Sequence, residues 1–251
     1  MTSIEARVSA SGTTHVGMRR NENQDNFLVA PELNLFVVAD GMGGHKGGET
    51  ASALAIKSIN EYFLNIAPPQ TQLPPAKKLT EAIESANNAI QAHGRAEPSL
   101  AGMGTTATAL YFANGRLYLG QVGDSRAYLI HPQRIWQITR DHSLVQEKLR
   151  AGLITRAQLK TDRMKNVITR SVGFEVDVEV DLYNMQTHSG DVFVLCSDGL
   201  TGMVEDQQIL SIVEDCVFGK NDVQAAAQKL IDAANRNGGD DNVTAIVIRV
   251  D

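Results

Sequence analysis

Two apolar runs in this chain end in the same way. Leu33-Asn34-Leu35-Phe36-Val37-Val38-Ala39 stops at Asp40-Gly41, and Val192-Phe193-Val194-Leu195-Cys196 stops at Ser197-Asp198-Gly199. Short runs of this kind, closed by a turn signal, read as buried strands. Each therefore sets a carboxylate at the end of a strand that has almost no polar residue of its own. Two further stretches resemble them. Asn23-Gln24-Asp25 precedes Phe27-Leu28-Val29, and Gly239-Asp240-Asp241-Asn242 precedes the strand-like Val243 to Val250. Carboxylates gathered at strand ends repel one another unless a cation neutralises them. The set points to hard divalent ions held by oxygen ligands. A competing account is that Asp-Gly pairs form and cap turns. It suffices for any one stretch, but four together, two of them in matching contexts, favour a shared site.

Periodicity outlines the rest. From Glu49 the pattern turns helical, with Ala51, Leu54, Ala55, Ser58, Ile59 and Tyr62 on one face. After a proline-rich loop (Pro68 to Pro75), a second amphipathic helix aligns Leu79, Ala82, Ile83, Ala86, Ile90 and His93. Strands are expected over Thr105 to Phe112, Arg116 to Val122, Ala127 to Ile130 and Arg134 to Thr139, with a hairpin at Asn114-Gly115. Asp141 to Arg170 is polar and basic, with Thr155 placed to cap a short helix. It reads as a surface insertion. Strands resume at Val176 to Tyr183 and Val192 to Cys196. Helices over Asp206 to Glu214 and Asp222 to Asn235 and a last strand, Val243 to Val250, complete the pattern. There is no regular β-α alternation, repeat or linker. The expectation is one α+β domain over residues 1–251, with largely antiparallel sheets.

Charge and cysteine content narrow the function. The 251-residue chain carries a net charge of −6 and has no basic block, which argues against nucleic acid or an anionic membrane as partner. No run approaches a membrane span, and Met1 to Arg7 lacks the basic-then-apolar pattern of a secretory signal. Only Cys196 and Cys216 occur, so a reduced, cytoplasmic setting is expected.

Six ordered blocks resemble the metal-dependent protein serine/threonine phosphatases of type 2C in their compact bacterial form. They are Gly17 to Asp25, Val38 to His45, Met103-Gly104-Thr105-Thr106, Val122 to Arg126, Cys196 to Leu200 and Gly238 to Thr244. The resemblance runs from Gly17 to Val250. It implies a four-layer α-β-β-α sandwich of two mainly antiparallel sheets flanked by helix pairs, with metals in a cleft at one end and residues 141–170 as a flap. It also implies two Mn²⁺ or Mg²⁺ ions and a third, weaker site. Asp40 would bridge two ions, with the Gly41 carbonyl on one, and Asp198 and Asp241 would complete the other. Asp25 would hold metal-bound water, Asp124 with Asp198 would serve the third ion, and Asn242 would orient its neighbour Asp241. Arg20 is placed to bind the phosphoryl group, which suits a planar bidentate donor; Arg19 beside it is the solvated alternative. Two ions can generate hydroxide from a shared water and clamp the phosphoryl oxygens for in-line attack. The implied activity is hydrolysis of phosphoserine and phosphothreonine in proteins, opposite a serine/threonine kinase, by a monomer engaged in bacterial signalling.

The chain departs from that pattern at two places. Met42 stands where some members carry a histidine considered a general acid for the leaving alkoxide; metal-bound water could protonate it instead, or a histidine from elsewhere, of which His45 is the nearest, unless His45 only touches substrate or loop. Gln24 stands where many carry Glu. Thr105 and Thr106 could line the cleft or simply pack, and the flap could be a solvated surface or a docking lid. A cysteine-phosphatase mechanism is excluded because position 202, six residues after Cys196, is Gly202 rather than Arg. His93 falls on an apolar helix face, and His15, His131, His142 and His188 read as surface residues. The rival function is a catalytically weak phosphoprotein-binding module on the same fold. A two-metal hydrolase acting on nucleotides or nucleic acid is disfavoured by the acidic balance.

Overall fold

The computed structural model describes residues 7–68, 70–159 and 161–251, apart from the side chains of His45 and Gln70. The expectation for Met1 to Arg7 therefore falls almost wholly outside the described residues, as does Lys160 of the flap.

The strands form two antiparallel sheets. The first runs β1 (Val8–His15), β11 (Val243–Val250), β10 (Val192–Cys196), β7 (Arg126–His131) and β8 (Arg134–Gln137). The second runs β2 (Asp25–Ala30), β3 (Leu35–Met42), β5 (Ala107–Ala113), β6 (Arg116–Val122) and β9 (Asp181–Gln186), with the short β4 (Gly104–Thr105) against the end of β3. Helices α1 (Gly44–Leu64) and α2 (Pro75–Ala96) cover the second sheet, and α5 (Asp206–Val213) and α6 (Val223–Arg236) cover the first. The remaining helices are short: α3 (Leu144–Arg150) in the flap and α4 (Asp198–Thr201) directly after β10. This is the expected four-layer sandwich.

The layering explains the apolar runs. In β3, Leu35, Val37 and Ala39 face the helices while Phe36 and Val38 face the other sheet. In β10, Val192, Val194 and Cys196 face helices while Phe193 and Leu195 face inward. Successive side chains point to opposite faces, so a strand covered on both faces loses its polar alternation. Between the sheets, Phe112 stands edge-on to Phe36 at 5.9 Å and to Phe193 at 5.7 Å, tying the layers together.

Three boundaries differ from expectation. β1 was not anticipated: Val8–His15 is built from small polar residues because it is a sheet edge, held by its pairing with β11. Helix α1 opens at Gly44, five residues before Glu49. The strand expected at Val176 to Tyr183 pairs only from Asp181. The segment before it is a loop clamped by the buried Asn87 of α2, which donates to the carbonyls of Glu175 and Val176 and accepts from the Gly173 amide.

Candidate metal centre

Strand register brings the carboxylates to one end of the sandwich. Asp25 opens β2 and lies directly opposite Asp40, near the end of β3. Cys196 pairs with Ala245 on one side and Arg126 on the other. That pairing sets Asp198, Asp241 and Asp124, each a few residues away, at the same edge. Two glycines permit the final approach. A Cβ on Gly41 would stand 2.0 Å from the Gly48 carbonyl oxygen at the start of α1, and one on Gly199 would stand 1.9 Å from the Asn242 carbonyl oxygen. Backbone therefore packs directly on backbone at both Asp-Gly sites.

Hydroxyls hold the carboxylates in place. The Asp40 carbonyl accepts from the Thr106 amide (2.8 Å) and the Thr105 hydroxyl (2.9 Å), and its amide donates to Thr106 Oγ1 (2.9 Å). Thr106 Oγ1 in turn meets Ser125 Oγ at 2.8 Å, beside Asp124. Thr105 and Thr106 thus set the backbone of Asp40. Asp25 Oδ2 accepts from Ser197 Oγ and Thr244 Oγ1, both at 2.7 Å. With the Thr244 proton directed at Asp25, Thr14 must donate to Thr244 and accept from Asn23 Nδ2. This chain of donors has one consistent direction.

The electrostatics are those of crowded like charges. Burial pushes the Asp25 carboxyl up to about 7 against the two hydroxyls, with Asp198 and Asp241 adding to the rise. Asp40 keeps some surface open to solvent. Burial among protein groups, then Asp25, Asp198, Asp124 and Asp241, hold its carboxyl well above the ordinary range. Asp124 is pushed up to about 8 by burial and then by Asp198 and Asp141. Asp198 is raised by burial and Asp241, and a hydrogen bond with Asp40 partly offsets the rise. Such neighbours cannot all ionise without a counter-charge.

The donor set fits a hard cation. Asp25 Oδ1 and Asp124 Oδ1 are buried and have no hydrogen-bond partner among the described residues. Leaving such atoms unpaired is costly, and a cation beside them removes the penalty. The candidate donors are carboxylate oxygens and the Gly41 carbonyl, all hard oxygens, which suit Mn²⁺ or Mg²⁺ better than Zn²⁺. Among the described residues no three His, Cys, Asp or Glu side chains already close on one point. The carboxylates are neighbours that a cation would draw together.

Arg20 is at the rim. Its Nη2 donates to Asp241 Oδ2 at 2.8 Å, with the two side chains 55% and 38% exposed. The loop that carries it is tied down by Asn242, whose Nδ2 donates to the carbonyls of Val16 and Glu22 and whose Oδ1 accepts from the Gln24 amide. Asn242 thus positions the arginine loop, and its amide also donates to Asp241 Oδ1. Gln24 Nε2 donates to the Gly44 carbonyl. His45 lies in the first turn of α1, but its side chain is outside the described part.

Sequence reasoning missed a buried ionic network behind Asp124. Arg126 grips Asp141 through Nε (3.0 and 3.1 Å) and Nη2 (2.7 Å) and donates to the Tyr128 hydroxyl, which donates to Asp206. Strand alternation would have revealed it. Arg126 shares a face with Tyr128 and Ile130, which pack under the helices, and a guanidinium drawn partly out of solvent there favours a carboxylate partner. His142 is not at the surface as expected but 5% exposed. Its Nδ1 accepts from the Gly123 amide at 3.1 Å, and its Nε2 lies 3.2 Å from Asp181. With Nδ1 as acceptor, the proton sits on Nε2. Burial lowers its pKa. Asp141 and His142 thus fasten the start of the flap, and the bridge between Thr105 and Val172 fastens its far side. A cavity of about 900 Å³ extends from Asp124 and Asp198 between the flap and α5.

Comparison with known proteins gives the family and the fold. The family profile described as Protein phosphatase 2C matches residues 11–243. A serine/threonine phosphatase stp of Listeria welshimeri is 35% identical over 238 residues, which are 94% of this chain and 93% of that protein. The structure of the catalytic domain of the serine threonine protein phosphatase PstP in complex with two manganese ions superposes with a TM-score of 0.85 at 35% identity, covering 97% of this chain and 98% of that one. The serine/threonine phosphatase Stp1 of Staphylococcus aureus superposes with a TM-score of 0.89 at 30% identity, covering 100% and 98%.

Proposed function

The chain belongs to the protein phosphatase 2C family, and from that premise we propose that it hydrolyses phosphoserine and phosphothreonine in proteins at a centre of two Mn²⁺ or Mg²⁺ ions. The observation that carries this reading is the cluster of Asp25, Asp40, Asp124, Asp198 and Asp241, drawn from separate elements, with two buried carboxylate oxygens lacking partners. Such a cluster is unfavourable unless a cation completes it.

In this reading Asp40 serves both ions, with the Gly41 carbonyl beside it. Asp198 and Asp241 hold one ion, and Asp124 with Asp198 provides a third, weaker site. Asp25 is braced by Ser197 and Thr244 and supports from behind. Bound, the ions supply an activated water for in-line attack on phosphorus and neutralise the phosphoryl charge. The chain's own groups do the rest. The Thr105–Thr106 hydroxyls keep the Asp40 backbone from shifting. Arg20, whose Nη2 meets Asp241 at the rim, would bind the phosphoryl oxygens as a planar donor. His45 is the histidine we assign to substrate contact, on its place in the chain. We read residues 1–251 as one catalytic domain with 141–170 as its flap. The core between the sheets, which draws on β3, β5, β10 and β11, supports that reading.

The partners are phosphorylated proteins and an opposing serine/threonine kinase, met by a monomer in bacterial cytoplasmic signalling. The net charge of −6 and the two free, buried cysteines support this setting, with neither nucleic acid nor membrane as partner. Among the described residues no helix is long and apolar enough to cross a membrane. A non-catalytic binding module is the weaker reading, because every expected carboxylate and Arg20 are present. The test is phosphate release from a phosphothreonine peptide. EDTA should abolish it and Mn²⁺ restore it. A folded sample inactive with both Mn²⁺ and Mg²⁺ would overturn the enzyme reading.

A further inference from the structure

We propose that the cavity under the flap is a second anion site, which holds acidic side chains flanking the phosphorylated residue. It rests on the phosphatase reading for what the substrate is, but the site follows from the cavity itself. Asp124 and Asp198 line the cavity, and so do Arg140, Arg150, Arg156 and Lys165. These four cations are exposed, and among the described residues none is in an ion pair. By contrast, Arg126 in the same cavity is consumed by Asp141, and Lys148 and Arg170 of the flap are paired with Asp162 and with Glu179 and Asp181.

The flap concentrates positive charge in an acidic molecule. Residues 141–170 hold seven Lys and Arg against three Asp and Glu, in a chain whose net charge is −6. Glu205 and Asp206 also line the cavity, but Asp206 already accepts from the Tyr128 hydroxyl. A phosphorylated side chain reaching the carboxylate cluster would leave its neighbours beside the four cations. Carboxylates there would meet four unpaired cations in a concave surface, where such charges steer and select. The site would thus set substrate choice and leave the chemistry to the metal centre.

Two measurements on the full chain test this. The first is fluorescence anisotropy of a labelled, unphosphorylated Glu-rich peptide. The wild type should bind it in a salt-sensitive manner, and the variant R150Q/R156Q/K165Q about tenfold more weakly. The second compares a phosphothreonine peptide flanked by Glu with the same peptide flanked by Gln. The wild type should show a KM about tenfold lower for the Glu peptide, and the variant nearly equal values. Both proteins should hydrolyse p-nitrophenyl phosphate, which has no flank, with the same kcat/KM; that agreement also shows the variant is folded. Equal KM values in the wild type, or discrimination kept by the variant, would overturn the proposal. Peptide binding as described with no phosphate release would sink the phosphatase reading and leave the acidic site standing. Phosphate release without discrimination would do the reverse.

Discussion

Asp25 and Asp40 face each other across the β2–β3 pair, with one oxygen of Asp25 satisfied by two hydroxyls and the other buried without a partner. Like charges directly opposite in a sheet destabilise it, so this end of the sandwich is strained whenever both are ionised and no cation is near.

Stability without metal should therefore depend on pH in an unusual sense. The carboxyls of Asp25, Asp40 and Asp124 are raised, to about 7, well above the ordinary value and to about 8 respectively. Above about pH 4 the unfolded chain has released these protons while the folded chain keeps them. The folded state binds more protons, so stability present in mild acid is lost as pH rises through about 7 and 8. The melting temperature of the EDTA-treated protein should fall between about pH 5 and pH 9, and Mn²⁺ should reverse the trend. A flat or rising profile without metal would contradict the assignment.

Asp40→Asn should have opposite effects in the two states. Without metal it removes a carboxyl that must either stay protonated or repel its neighbours, and near pH 7 it should stabilise by about 1 kcal/mol, or ~2–4 °C in a chain of this size. With Mn²⁺ it should lower kcat by roughly 10³. Thermal melts in EDTA, paired with steady-state kinetics, check both.

Arg20→Ala should raise KM for phosphopeptides about tenfold and leave kcat within a small factor, as expected for a group that binds substrate. Arg20→Lys should recover only part, because an ammonium lacks the planar fork. The exposed pair with Asp241 adds little stability, so neither variant should move the melting temperature by more than ~2 °C.

Breaking the Arg126–Asp141 pair should be costly. Asp141→Ala leaves a half-buried guanidinium with the Tyr128 hydroxyl as its remaining hydrogen-bond partner among the described residues and should destabilise by about 1–3 kcal/mol, whereas replacing both partners with apolar residues should recover much of that. Chemical denaturation of the single and double variants separates these outcomes.

What the sequence disclosed follows from this layering. Asp40 and Asp198 stood out because β3 and β10 are covered on both faces, so their apolar runs end abruptly at the site. β1 was hidden because an edge strand needs little apolar surface; its Gly12 leaves room for Phe27, whose ring a Cβ would approach to 2.7 Å. Glycines at 44, 47 and 48 disguise the start of α1: Gly44 takes a positive φ, while Gly47 and Gly48 pack closely on Met103 and Gln24, and these demands override helix propensity. Asn87, Asn242 and His142 act through partners far along the chain, Glu175, Val16 and Asp181 among them. Such pairings leave no local pattern to read.

Calorimetric titration of Mn²⁺ into metal-stripped protein near pH 7, in buffers of different ionisation enthalpy, tests the central claim most directly. Saturable binding of at least two ions per chain is expected, with release of protons from the raised carboxylates and loss of that binding in Asp40→Ala. Absence of saturable binding, or the same number of ions bound by Asp40→Ala, would contradict it.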